Sequence, residues 1–97
     1  MSWSIKWRPV ARREFDEAVD WYNEKANLGA AFISEIEAVL NGIVAAPQRH
    51  ALVSDAVRRA LVQRFPYSIF YRMTAAGIEV LGVIHHRRDP AIWMRRI

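Results

Sequence analysis

Five arginines stand where they can meet an anion: Arg58 beside Arg59, Arg72 alone, and Arg87 beside Arg88. A guanidinium presents a planar fork of donors that fits phosphate or carboxylate oxygens two at a time. His85 and His86 precede the last pair. Neighbouring residues on a strand point to opposite faces, so these imidazoles cannot share a metal there. His50 lies far off in sequence and no His-Glu-x-x-His pattern occurs, so neither a metal site nor any other cofactor is expected. His85, next to the arginines, can titrate near neutrality, but a structural role at a strand end is the simpler reading. Tyr67 and Tyr71 fit core packing with hydroxyls at the rim better than acid–base work. The sequence has no Cys, which removes a thiol nucleophile, a Cys-ligated zinc site and a disulfide scaffold.

The charge is divided along the chain. Residues 1–48 hold five basic and seven acidic side chains, whereas residues 49–97 hold nine Arg against Asp55, Glu79 and Asp89. An Arg-rich half calls for an anionic partner, nucleic acid or an acidic protein segment. The plainer reading of the same residues is a solvated sheet edge. Arg72, Arg87 and Arg88 favour the functional reading, and Arg58 and Arg59 are evenly balanced.

The elements that must carry these groups follow from hydrophobic spacing. Trp3 to Arg8 alternates apolar and polar, a half-buried strand closed by Pro9. Ala11, Phe15, Ala18, Val19, Tyr22 and Ala26 recur on one helical face, and the acids from Glu14 to Glu24 fall on the wet one. Asn27-Leu28-Gly29 breaks that helix. Phe32, Ile36, Val39, Leu40 and Ile43 mark a second, stopped by Pro47, so the two form an antiparallel hairpin. Gln48 to Asp55 reads as a loop. Val57 to Phe65, Tyr67 to Met73 and Ile78 to His85 read as strands of an antiparallel meander. The tail from Ala91 is expected to make a helical turn at most.

The order is β-α-α-β-β-β, an α+β fold in which an N-terminal helical hairpin packs on an antiparallel sheet. With 97 residues the chain is one domain, 1–97. The second sheet face is expected to be open and available for binding. Trp21, beside the main helical stripe, is available to a partner, and Trp93 reads first as a packing anchor for the tail. No apolar run approaches the length of a membrane span, and Met1 to Lys6 lacks an apolar signal region. A cytoplasmic location with no membrane association is therefore expected.

Three stretches resemble the ParE branch of the RelE/ParE toxins. Val57-Arg58-Arg59 through Phe65-Pro66-Tyr67 to Tyr71-Arg72 is similar to the family's central strands. His85, Arg87-Arg88, Pro90 and Trp93 are similar to its ending. Phe15 to Tyr22, Ala31-Phe32 and Pro47 are similar to its helical hairpin. The resemblance implies the toxin of a bacterial type II toxin–antitoxin system, neutralised by a ParD-like antitoxin in a hetero-oligomer. It implies DNA gyrase as the target, reached by binding, with no sequence-specific DNA recognition by the toxin itself. Arg58, Arg59, Arg72, Arg87, Arg88, Trp93 and Trp21 are the expected partner contacts.

RelE-like relatives instead cleave mRNA on the ribosome. They usually carry a basic residue and a late Tyr where this chain has Ser68 and Trp93. Indole gives up no proton at useful pH, and guanidinium is a poor proton shuttle. Were the chain an endoribonuclease, Arg72, His85 and Arg88 would carry the reaction. A third reading is a non-toxic module that only binds its antitoxin.

Overall fold

The computed structural model describes residues 3–97. Strand β1 (Ile5–Trp7) leads into helices α1 (Pro9–Ala26) and α2 (Gly29–Ala45). Strands β2 (Ala51–Leu52), β3 (Val57–Leu61), β4 (Tyr67–Thr74) and β5 (Gly77–His85) follow, then a 3-10 helix, Pro90–Arg96. The five-stranded sheet has the order β1-β5-β4-β3-β2. The meander is antiparallel as expected, but β1 runs parallel to β5, Ile5 opposite Ile78 and Trp7 opposite Val80. The sheet is therefore mixed. Two further boundaries differ from the sequence reading. The strand from Val57 stops at Leu61, where Val62 N–H turns to the Tyr67 carbonyl at 3.0 Å. The loop after Pro47 contains the two-residue edge strand β2.

Pro9 opens α1 where a missing N–H costs nothing. Asn27 ends it in the left-handed region, φ 56°, while the Asn27 and Leu28 amides bond back to Asn23 and Tyr22 carbonyls. That closure turns the chain at once into α2. The hairpin buries Ala11, Ala18, Phe32, Ile36 and Ile43 against Ala60, Ile69, Tyr71, Ile78, Val80 and Val83 of the sheet. Rings dominate one end of this core: Tyr22 meets Phe65 edge-on at 4.8 Å and stacks on Phe32 at 5.2 Å. At the other end, the fully buried Tyr71 donates its hydroxyl to the Pro47 carbonyl at 2.7 Å and ties the sheet to the end of α2.

The nearly unbroken apolar run of β5 faces two cores by strand alternation, whose phase shifts where the register slips between Phe70 and Tyr71. Phe70 pairs with Gly82 but Tyr71 pairs with Val80, leaving Leu81 as the extra residue of a bulge. Val80 and Val83 thus both face the helices, while Leu81 and Ile84 face the other way.

The second face is not open along its whole length. Val57, Phe70, Leu81, Ile84 and Trp93, flanked by Ile92, form a second small core. Trp93 is only 6% exposed and stacks on Phe70 with centroids 5.9 Å apart. The tail from Ala91, expected to make a helical turn at most, lies in a 3-10 helix that covers part of this face. It is attached by its own cap, the Asp89 carboxylate accepting from the Ala91 amide at 2.9 Å, because burying an indole against a ring is worth several CH₂ groups of transfer energy. Among the described residues no helix is long and apolar enough to cross a membrane.

Candidate functional site

The C-terminal end of β5 and the turn after it gather most of the chemistry-bearing side chains. Tyr67 pairs with His85 across β4 and β5. The His86 amide donates to the Pro66 carbonyl at 2.8 Å and the Arg88 amide to the His85 carbonyl at 3.0 Å. The Arg87 amide donates to His85 Nδ1 at 3.0 Å. These bonds fix a tight turn that holds Arg87 and Arg88 out at the sheet end, both exposed.

The two histidines do diverge. His85 meets the Tyr67 ring edge-on at 5.0 Å, on the side of the helices. His86 Nε2 shares a hydrogen bond of 3.0 Å with Ser68 Oγ, on the second face. Burial, then the charges of Arg87 and His86, hold His85 below its ordinary pKa, so it is neutral at pH 7. Burial above all, with Tyr22 adding to it, raises the Tyr67 pKa, and its phenol stays protonated. A less basic imidazole beside a less acidic phenol is a weaker proton-transfer pair than the unshifted groups would be.

The arginines divide by what they already hold. Arg72 Nε binds Glu79 at 2.6 Å, and Arg8 joins the same carboxylate at 3.4 Å. Arg58 donates to the Gln48 and His50 carbonyls at 3.0 and 2.7 Å, which clips the loop leading into β2. Arg88 gives one amine to Glu14 at 3.2 Å. Arg59 and Arg87 are exposed, and among the described residues no hydrogen bond or ion pair holds either guanidinium. Arg72 lies five residues along β4 from Tyr67, about 16 Å at strand rise. The trio Arg72, His85 and Arg88 therefore does not converge on one site. Trp21 stands on α1 beside this end, 54% exposed, and lines two shallow pockets with Tyr67 and His85. Trp93, in contrast, is in the second core and offers little surface.

Sequence reasoning missed Glu14 and Arg96. The Arg96 guanidinium grips both Glu14 oxygens at 2.9 Å and also donates to the Leu81 carbonyl at 2.9 Å. Glu14 in turn accepts from the Val83 amide at 3.1 Å. A signal was present: Glu14 falls three residues after Ala11 and four before Ala18, on the buried stripe rather than the wet face. Gly82 belongs to the same arrangement, since a Cβ there would come within 2.8 Å of Arg96 Nη1.

Residues 5–90 match the family model described as ParE toxin of type II toxin–antitoxin system, parDE. The chain belongs to the ParE toxin family. Among solved structures, a chain of the chromosomal ParDE toxin–antitoxin system from P. aeruginosa is similar to it. That likeness has a TM-score of 0.73 at 19% identity and covers 86% of this chain and 95% of the other. It is a likeness of fold. Comparison with curated proteins gives no match. The ParE span contains Arg58, Arg59, Arg72, Arg87 and Arg88, whereas Trp93 and Arg96 follow its last matched residue.

Proposed function

We propose that this ParE-family chain arrests growth by docking on DNA gyrase and is silenced by a cognate ParD-like antitoxin, in the cytoplasm and without breaking a bond itself. The observation that carries this reading is the surface at the end of β5, where Arg87 and Arg88 stand out of the turn next to the exposed indole of Trp21. Guanidinium beside exposed aromatic surface is the composition of a binding hot spot. An acidic, amphipathic antitoxin segment that folds on contact matches it in charge and in apolar area. Proton transfer is poorly served at the same place, because the basicity of His85 is lowered and Arg72 is engaged elsewhere.

The test is expression of the chain in growing cells. DNA synthesis is expected to stop while primer extension on translated messages finds no new 5′ ends. Purified protein is expected to inhibit gyrase supercoiling, and added antitoxin to restore it. Message cleavage with supercoiling intact overturns the reading in favour of the endoribonuclease. Tight antitoxin binding without growth arrest overturns it in favour of a binding module.

A further inference from the structure

The second face keeps one opening beside the tail that covers it. This pocket, about 390 Å³, lies against β3, β4, β5 and the turn after β5, and is lined by Arg59, Leu61, Ser68, Ile84, His86 and Arg88 among others. The register explains the gathering. Arg59 pairs with Phe70 and Leu61 with Ser68, and Ser68 pairs in turn with Ile84, so these side chains stand in two adjacent rows. No carboxylate lines the pocket. The nearby Glu79 is occupied by Arg72 and Arg8, and Glu14 by Arg96 and Arg88. Arg59 therefore brings an uncompensated charge, and Arg88 keeps most of its fork after giving one amine to Glu14.

The floor is closed: Ser68 is 1%, Phe70 4% and Ile84 2% exposed. Ser68 is the buried polar side chain of the sheet, and its hydroxyl and the His86 ring can pass a hydrogen bond between them and onward to a ligand. A buried floor under a half-open mouth can take the end of a molecule. The volume sits at the small end of the range for ligand pockets, about 300–1,000 Å³. Leu61 and Ile84 add an apolar wall beside the donors.

We propose that this pocket binds a phosphate monoester, its oxygens held by Arg59, Arg88 and the Ser68–His86 pair, with the attached organic group against Leu61 and Ile84. Several donors from separate elements around one half-open pocket suit the three free oxygens of a terminal phosphate better than the two of a carboxylate. The ligand's source is either a free mononucleotide or the phosphorylated end of a nucleic-acid strand, which present the same chemistry. The inference goes beyond gyrase docking and does not depend on it.

The full chain is titrated with adenosine 5′-monophosphate, with adenosine, and with a short oligothymidylate with and without a 5′-phosphate. Amide shifts and calorimetry are the readouts. The phosphorylated probes are expected to bind saturably and to shift the Leu61, Ser68 and His86 amides, and the tighter of them names the source. R59A is expected to weaken binding about tenfold, the loss of one charge-assisted hydrogen bond. H86A takes its place if that variant does not fold. R13A, exposed on α1, is the control and is expected to bind as the parent does. Four results overturn the proposal. They are no saturable binding of the monophosphate, equal binding of the unphosphorylated strand, tighter binding of a Glu-rich peptide, or parental affinity in R59A.

Discussion

Arg96 and Glu14, 82 residues apart, form a two-pronged ion pair that occupies the edge of β5 where β1 has ended. β1 covers β5 only as far as Val80, whose carbonyl takes the Arg8 amide at 3.1 Å. Beyond it, Arg96 serves the Leu81 carbonyl and Glu14 the Val83 amide. Two side chains thus continue the ladder that a longer strand would have made, and they join α1 to the tail around the sheet edge.

Both partners are nearly out of water, with side chains 11% and 12% exposed. Removing Glu14 leaves Arg96 as a desolvated charge with no carboxylate partner, whereas removing Arg96 leaves Glu14 with Arg88 alone. E14A is expected to lose about 3 kcal/mol in urea denaturation. R96A should lose somewhat less, because Arg88 remains on Glu14. A double-mutant cycle should show a coupling of about 1 kcal/mol or more. Additive losses would mean that the pair is not a unit.

The two tryptophans near the functional end should part company. W93A empties the second core and is expected to cost about 3–5 kcal/mol. Trp21 is more than half exposed, so W21A should change stability by less than about 0.5 kcal/mol while weakening antitoxin capture. Denaturation and pull-down measured on the same pair of variants check both statements.

Arg58 and Arg59 are neighbours with different duties. R58A should loosen the loop at Gln48–His50, read as faster amide exchange there, and cost about 1–2 kcal/mol. R59A and R87A should leave stability unchanged. R87A should slow association with the antitoxin, an effect that shrinks as salt rises.

Acid should weaken the fold through histidine. His85 and His50 are both held below their ordinary value of 6.5, first by burial and then by neighbouring charges, Arg87 and His86 for His85 and Arg49 and Arg58 for His50. The folded chain then binds fewer protons than the unfolded one once pH falls below that value. Stability is full above it, declines as pH drops, and levels off when the folded-state imidazoles take their protons. Thermal melts from neutral pH to about pH 5 should show the decline, and H85N should flatten it.

Much of this was legible from local pattern. The spacing of Phe32, Ile36 and Ile43 marks a buried helical stripe, and the apolar run from Ile78 to Ile84 marks a strand of the meander. Strand alternation already separated His85 from His86, and it equally places Arg58 and Arg59 on opposite faces. What covers the second face was not legible, because a short tail with one Trp has no periodicity to read. Nor was the parallel pairing of β1, a tertiary choice between distant segments. The bulge at Leu81 was hidden too, since every neighbouring residue is apolar and no alternation is there to slip.

The position of β1 beside β5 has a consequence during synthesis. β1 pairs with β5, which is made after β2, β3 and β4, and Glu14 waits for Arg96, 82 residues further along the chain. Neither this sheet edge nor the tail can settle on a nascent chain that has not yet reached Arg96, and such long-range closure is slow in any case. The surface that carries Arg87 and Arg88 is thus assembled late, once Arg96 has been made and has reached Glu14.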